Sequence, residues 1–299
     1  MRVNPNFVPD IIADLQQSQT ALNTATQQVA TGKSVNMPSD NPYAAATMVQ
    51  NTIETTDVDQ YTQNASTISS QLQTADSALS TVVTSLTSAI SLGTEGANGT
   101  SNASNKQALA TQIQGLLATV VQQANTTVGG VYLFGGTSTS TPYTEDSASP
   151  TGYTYNGNDD VNSVAIGDGV SVQVNLPGSQ IFSNANNNVI GSLSSLVTAL
   201  QSGSDSDIES ATTAVSSALS YVGQQQVVLS NSEAQVNSQQ TALQQDTVTL
   251  ASQQNTLIGV NEATAALNLS QAETDNSAAL AAAAKVLPNT LLNYLSGPS

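Results

Sequence analysis

The stretch VDQYTQNASTISSQLQTADSALSTVVTSLTSA, residues 58–89, decides the fold. Val58, Tyr61, Ala65, Ile68, Leu72, Ala75, Leu79, Val82, Leu86 and Ala89 step through it in alternating threes and fours. That spacing lays one narrow apolar seam along a helix, and such a seam is stable only against another helix. The matching seam lies far away in sequence: Val215, Val222, Leu229, Val236, Leu243, Leu250 and Leu257 recur every seven residues. The two halves of the chain therefore have to find each other. Positions that would complete the second seam hold Ser232, Gln239, Asp246 and Gln253, so it stays narrow.

Outward from residue 58, the spacing predicts a helix that starts near Pro42, with an irregularity around Glu54 to Asp57, and ends near Ser91. Pro38, Ser39, Asp40, Asn41 and Pro42 precede it, and Ser, Asp and Asn are good N-cap residues. A first helix is expected over about Asp10–Thr31, from Ile11, Leu15, Ser18, Leu22, Ala25 and Val29, with Gly32 as its C-terminal cap. A lone helix of roughly 20 residues is marginal in water, so it needs a partner. Gly93–Asn102 reads as a loop and about Ser104–Thr127 as a third helix. Short alternating runs over 129–188 (Val131–Phe134, Tyr153–Tyr155, Val161–Ile166, Val170–Val174) read as strands of a small β domain. Helical pattern resumes at Val189–Leu200. A capping box, Ser206 with Glu209, then opens a long helix to about Thr256, and a last helix spans Asn261–Leu287.

The expected fold is mainly α: a long antiparallel helical bundle or coiled coil formed by the N- and C-terminal segments, with a small β domain inserted in the middle and projecting sideways from one end. The expected divisions are 1–42, 43–128, 129–188, 189–257 and 258–299.

Composition narrows the function. Of 299 residues none is His, Cys or Trp, only four are basic, and the net charge is −17. Binding of nucleic acid or an anionic membrane needs cations that this chain lacks. Thiol chemistry, imidazole catalysis and nearly all zinc sites are excluded with Cys and His. Residues 1–7 lack the apolar run of a secretory signal, so the protein stays inside or leaves without a cleaved signal.

Local motifs that suggest chemistry have simpler readings. Gly130 to Gly135, Gly136 and Thr137 lacks the lysine of a phosphate loop. Asp205, Asp207 and Glu209 lack calcium-loop spacing and read as helix capping, and residues 156–160 read as turn chemistry. Glu145 and Asp146 lie on a polar stretch with no apolar context to raise a carboxyl pKa. No catalytic residue, metal ligand or cofactor is expected.

Several segments resemble one family. Arg2-Val3, Thr31-Gly32-Lys33 and Pro38-Ser39-Asp40-Asn41-Pro42 resemble the N-terminus of the bacterial flagellin superfamily. Gly130–Thr137 leading to Thr141-Pro142-Tyr143, and Leu291-Leu292-Asn293-Tyr294-Leu295 near the end, are similar to its hook–filament junction members more than to filament subunits. Asn41 departs from the family's commoner second acid. The resemblance covers essentially the whole chain in order.

That resemblance implies a structural, non-enzymatic, extracellular role. The chain would be exported unfolded by the flagellar secretion apparatus with an export chaperone. It would then form a homo-oligomeric ring between hook-associated protein 1 and the first flagellin subunits. The terminal helices would line an inner tube, with the β domain facing outward. Ile11, Leu15, Leu22, Val29, Leu267, Leu280, Leu287, Leu291 and Leu295 become the expected subunit-interface residues. Two alternatives stay open. One is a short filament flagellin; the other is a secreted adhesin or carbohydrate-binding module using Tyr132, Tyr143, Tyr153 and Tyr155, residues that otherwise fill a small β core.

Overall fold

The computed structural model describes the backbone of residues 7–295 and the side chains of residues 9–285. The chain is mainly α, with three two-stranded antiparallel sheets among the described residues. Its contacts divide it into two compact units: a terminal unit of Met1–Asp57 with Asp246–Ser299, and a central unit of Val58–Gln245. Helices α2 (Pro42–Gly96) and α6 (Asp205–Ile258) contribute to both, while α1 (Phe7–Thr31) and α7 (Glu262–Leu295) belong to the terminal unit.

In the central unit the two seams meet. Ala65, Ile68, Leu72, Leu79, Val82 and Leu86 of α2 are buried with Val215, Val222, Leu229 and Val236 of α6. The helices run antiparallel there: Gln226 donates to Asp76 at 3.5 Å, and Gly93 backs onto Thr212. Helix α3 (Ala103–Ala124) and α5 (Val189–Ser202) pack on each other and bury Ile113, Leu117, Val120, Leu193 and Leu196.

Several boundaries differ from expectation, among them the end of α7, which runs to Leu295 beyond the expected Leu287. Helix α2 is unbroken through Glu54–Asp57 and continues to Gly96, beyond the expected loop start at Gly93. A Cβ on Gly93 would meet Thr212 and Leu196, and one on Gly96 would meet Leu200. These glycines admit neighbouring side chains; they do not end the helix. The α6 capping box is Ser204 with Asp207, two residues before the expected Ser206 and Glu209. The Ser204 backbone N–H and hydroxyl donate to Asp207 Oδ2 at 2.8 and 2.7 Å, and the Asp207 N–H returns to Ser204 Oγ at 3.3 Å.

The β part comprises β1 (Thr127–Val128), β2 (Val131–Tyr132), β3 (Tyr143–Glu145), β4 (Tyr153–Tyr155), β5 (Ser163–Gly167) and β6 (Val170–Gln173), paired in sequence order, followed by the short helix α4 (Gly178–Ile181). It does not project from an end of the central helices but packs along them. Phe134, Ile166 and Val172 share one core with Leu72 and Leu229. Asn64 of α2 donates to the Ala165 carbonyl at 2.9 Å, and Gly167 leaves room for the Gln239 amide of α6. Packing the inner residues of such small sheets against helices removes apolar surface from water that a detached domain would leave exposed.

Candidate assembly surface

In the terminal unit, α1 packs antiparallel on α7 through small side chains. Ala25, Ala265, Ala272 and Ala283 are buried, along with Asn276, whose Nδ2 donates to Gln19 Oε1 at 3.2 Å. The Ser18 hydroxyl and Asn276 Oδ1 are buried without a hydrogen-bond partner. An alanine contributes about one carbon to such a seam, worth about 0.8 kcal/mol, against about 1.5–3 kcal/mol for a leucine. The seam is therefore weakly held.

The larger apolar side chains sit at its edge or outside it. Ile11, Leu15 and Leu22 are half-buried, and Val29 is exposed. Leu267 is 69% exposed and Leu280 51%, so both turn away from the α1 contact. Ile12, which the sequence reading did not select, is 48% exposed. The side chains of Leu287, Leu291 and Leu295 lie outside the described residues. The alanine seam itself was missed in sequence, although Ala265, Ala272 and Ala279 recur every seven residues.

The link between α1 and α2 is well ordered by hydrogen bonds. Gly32 takes φ +67°, a conformation that favours glycine. The chain then pairs with the segment after α6: Lys33 bridges Gly259, Ser34 N–H donates to Ile258 O at 2.6 Å, and Val260 N–H donates to Gly32 O at 3.1 Å. Within the link motif, Asp40 Oδ2 accepts from the N–H groups of Asn36 and Met37 at 3.0 and 2.8 Å. Asn41 is the N-cap residue that contacts the helix, its Oδ1 accepting from Ala44 N–H at 3.1 Å. Pro42 is the first residue of α2, and Pro38 and Ser39 are exposed beside it.

The acids and tyrosines elsewhere are occupied structurally. Asp205 pairs with Lys106, and hydrogen bonds from Ser204 hold the Asp207 carboxyl below its usual pKa. Thr154 and the Ala148 N–H do the same for Asp146. Residues 156–160 form no regular turn: Asn158 Oδ1 accepts from Thr137 N–H at 2.8 Å, which ties this segment to the one after β2. Tyr143 is buried, its hydroxyl donates to Gly178 O at 2.9 Å, and burial pushes its pKa well up. The Tyr155 hydroxyl donates to Phe134 O at 3.0 Å, and that of Tyr132 meets Thr141. Tyr143, Tyr153 and Tyr155 pack in the β core, whereas Tyr132 is only half-buried and its hydroxyl contact is exposed. Among the described residues no three His, Cys, Asp or Glu side chains cluster to hold a metal, and no helix is long and apolar enough to cross a membrane.

Parts of the chain are similar to known proteins. Residues 10–139 match the family model of the bacterial flagellin N-terminal helical region. The chain is 34% identical over 122 residues to flagellar hook-associated protein 3 of Escherichia coli (strain K12), covering 40% of this chain and 38% of that protein. It is 26% identical over 181 residues to flagellar hook-associated protein 3 of Salmonella typhimurium, covering 60% of this chain and 56% of that one. The matched region is thus less than two thirds of either relative's length. The crystal structure of Bacillus cereus FlgL shares the fold, with a TM-score of 0.60 at 23% identity over 69% of this chain and 99% of that one. Over residues 10–139 the chain is similar to the bacterial flagellin N-terminal helical region, and the relatives it resembles are hook-associated proteins 3.

Proposed function

We infer that the chain is an extracellular structural subunit of the bacterial flagellum. It acts as an adaptor ring that joins the hook, through hook-associated protein 1, to the flagellin filament. It carries out no catalysis. The observation that carries this reading is the terminal unit's imbalance: an alanine seam inside, with Leu267, Leu280, Ile12 and Val29 turned outward. Apolar side chains that find no partner within the chain gain burial from neighbouring copies and from the proteins above and below. Coupling that burial to association keeps the subunit pliable for export by the secretion apparatus and its chaperone, and solidifies it on arrival.

The test is deletion of the gene in its own organism, followed by electron microscopy. Hooks that end bare, with flagellin released into the medium, are the expected result, and re-expression restores filaments. Normal filaments on the deletion strain would overturn the reading. Growth of the purified chain into long filaments would move it to the filament subunits instead.

A further inference from the structure

The link carries a cleft that α1, α2 and α6 leave open within the terminal unit. It has a volume of about 380 Å³ and is lined by Lys33, Val35, Met37, Pro38, Met48 and Ile258, among others. Its walls are fixed by the Lys33–Gly259 bridge and by Asn36, whose Nδ2 donates to Lys33 O at 3.1 Å and whose Oδ1 accepts from the Thr31 hydroxyl at 2.8 Å. A site held this way loses little entropy when it is filled. Two of its walls are methionines, adaptable side chains suited to contact surfaces, and Met37 is 51% exposed.

The charge at its edge is the unusual feature. This chain has 21 acids against four bases. Lys106 is committed to Asp205, whereas among the described residues the Lys33 ammonium has no acid within salt-bridge distance. An unpaired cation at the edge of an apolar cleft fits a carboxylate carried on an apolar helix face. Copies of so acidic a chain repel one another unless a cation lies at their contact. Each copy also offers the complementary surface. Glu273 and the exposed Leu280 are seven residues apart on α7, and so lie on one face of that helix.

We propose that this cleft is the seat for a second copy of the chain, which inserts an apolar helix face and pairs a carboxylate with Lys33. The proposal rests on the assembly reading above and names the partner at one part of that surface. Two different patches, cleft and helix face, meet head to tail, which closes rings or extends helices and does not stop at a symmetric pair.

Carbodiimide, which joins an amine directly to a carboxylate, tests this in flagella isolated from cells that express the chain. Denaturing electrophoresis and peptide mass mapping then read the products. The expected product is a dimer of the chain linked from Lys33 to an Asp or Glu of the other copy. Lys33→Gln removes that dimer, and Met37→Glu, which keeps the amine, lowers its yield about tenfold through lost docking. Both side chains are exposed, and unchanged helicity and melting temperature of the purified variants check that folding is intact. Linkage of Lys33 only to a different flagellar protein would overturn the proposal. So would an absence of Lys33 linkage while the chain is present in the flagella, an outcome that leaves the assembly reading standing. If the chain were missing from isolated flagella, both would fall.

Discussion

The side-chain amide of Asn51 donates to the backbone carbonyl of Leu250, 3.3 Å away, although both residues stand in seams otherwise made of apolar side chains. Asn51 lies seven residues before Val58, at the position that Ala65, Leu72, Leu79 and Leu86 continue. It is 5% exposed, and its Oδ1 also meets the Thr55 hydroxyl at 3.5 Å. A buried Asn in a helical seam gives up stability and specifies register. Within the terminal unit it fixes which turn of α2 faces which turn of α6. Asn51→Leu is expected to raise the melting temperature, while Asn51→Asp, which sets a carboxylate against a carbonyl oxygen, costs about 1–3 kcal/mol at neutral pH. Thermal melts of both variants check this; a more stable Asp variant would remove the register role.

The alanine seam and the outward leucines should separate folding from assembly. Ala265 is 1% exposed, so Ala265→Leu overpacks the α1–α7 contact and costs about 1–3 kcal/mol locally. Limited proteolysis of the free chain would then cut faster within residues 9–31. Leu267→Ser with Leu280→Ser should change the stability of the free chain by no more than about 0.5 kcal/mol, since both side chains are exposed. The same pair should abolish swimming and leave bare hooks. Normal motility of the double variant would count against the surface.

Acids on the central unit should respond to pH in opposite directions. Burial, with a smaller contribution from Asp76, raises the Glu233 pKa above its usual value. Its charged form is thus disfavoured in the fold, and this penalty grows as pH rises from the unfolded value through the folded one. Glu233→Gln is expected to raise the melting temperature at neutral pH and to match the parent below the carboxylate range. Asp207 has a depressed pKa, so its cap adds stability above the unfolded value and loses it as pH falls through the folded one. Asp207→Asn should lower the melting temperature only in the neutral range. Melts across pH for the two variants, compared with the parent, read both signs.

Gly136 takes φ +68°, and a Cβ there would overlap the Asn158 carbonyl. Gly136→Ala is expected to cost about 1–3 kcal/mol from backbone strain alone, before any clash is relieved. Loss of the near-ultraviolet tyrosine signal with helicity retained would locate the damage in the β part. An unchanged denaturation midpoint would show that the turn relaxes freely.

The helices were legible because apolar side chains at three- and four-residue spacing mark buried faces directly: Ala65 to Ala89 and Val215 to Leu250 are buried as read. Local polar signals were less specific. Ser204 with Asp207 and Ser206 with Glu209 are both plausible caps, and the choice depends on where Gly203 releases the chain from α5. Gly93 and Gly96 look like breakers until the neighbouring Leu196 and Leu200 are placed. Strands of two to five residues leave too few alternations for their ends to be read. At the candidate surface, Leu267 and Leu280 stood out as apolar, but whether they face α1 or solvent depends on which stripe of α7 the alanines occupy.

The pairing of Gly32, Lys33 and Ser34 with Ile258, Gly259 and Val260 has a mechanical consequence. The exit of α1 and the entrance of α7 are laced together by main-chain hydrogen bonds at one knot. Tension applied to either extremity is therefore shared by the other at that knot, and the two end helices swing as a single lever.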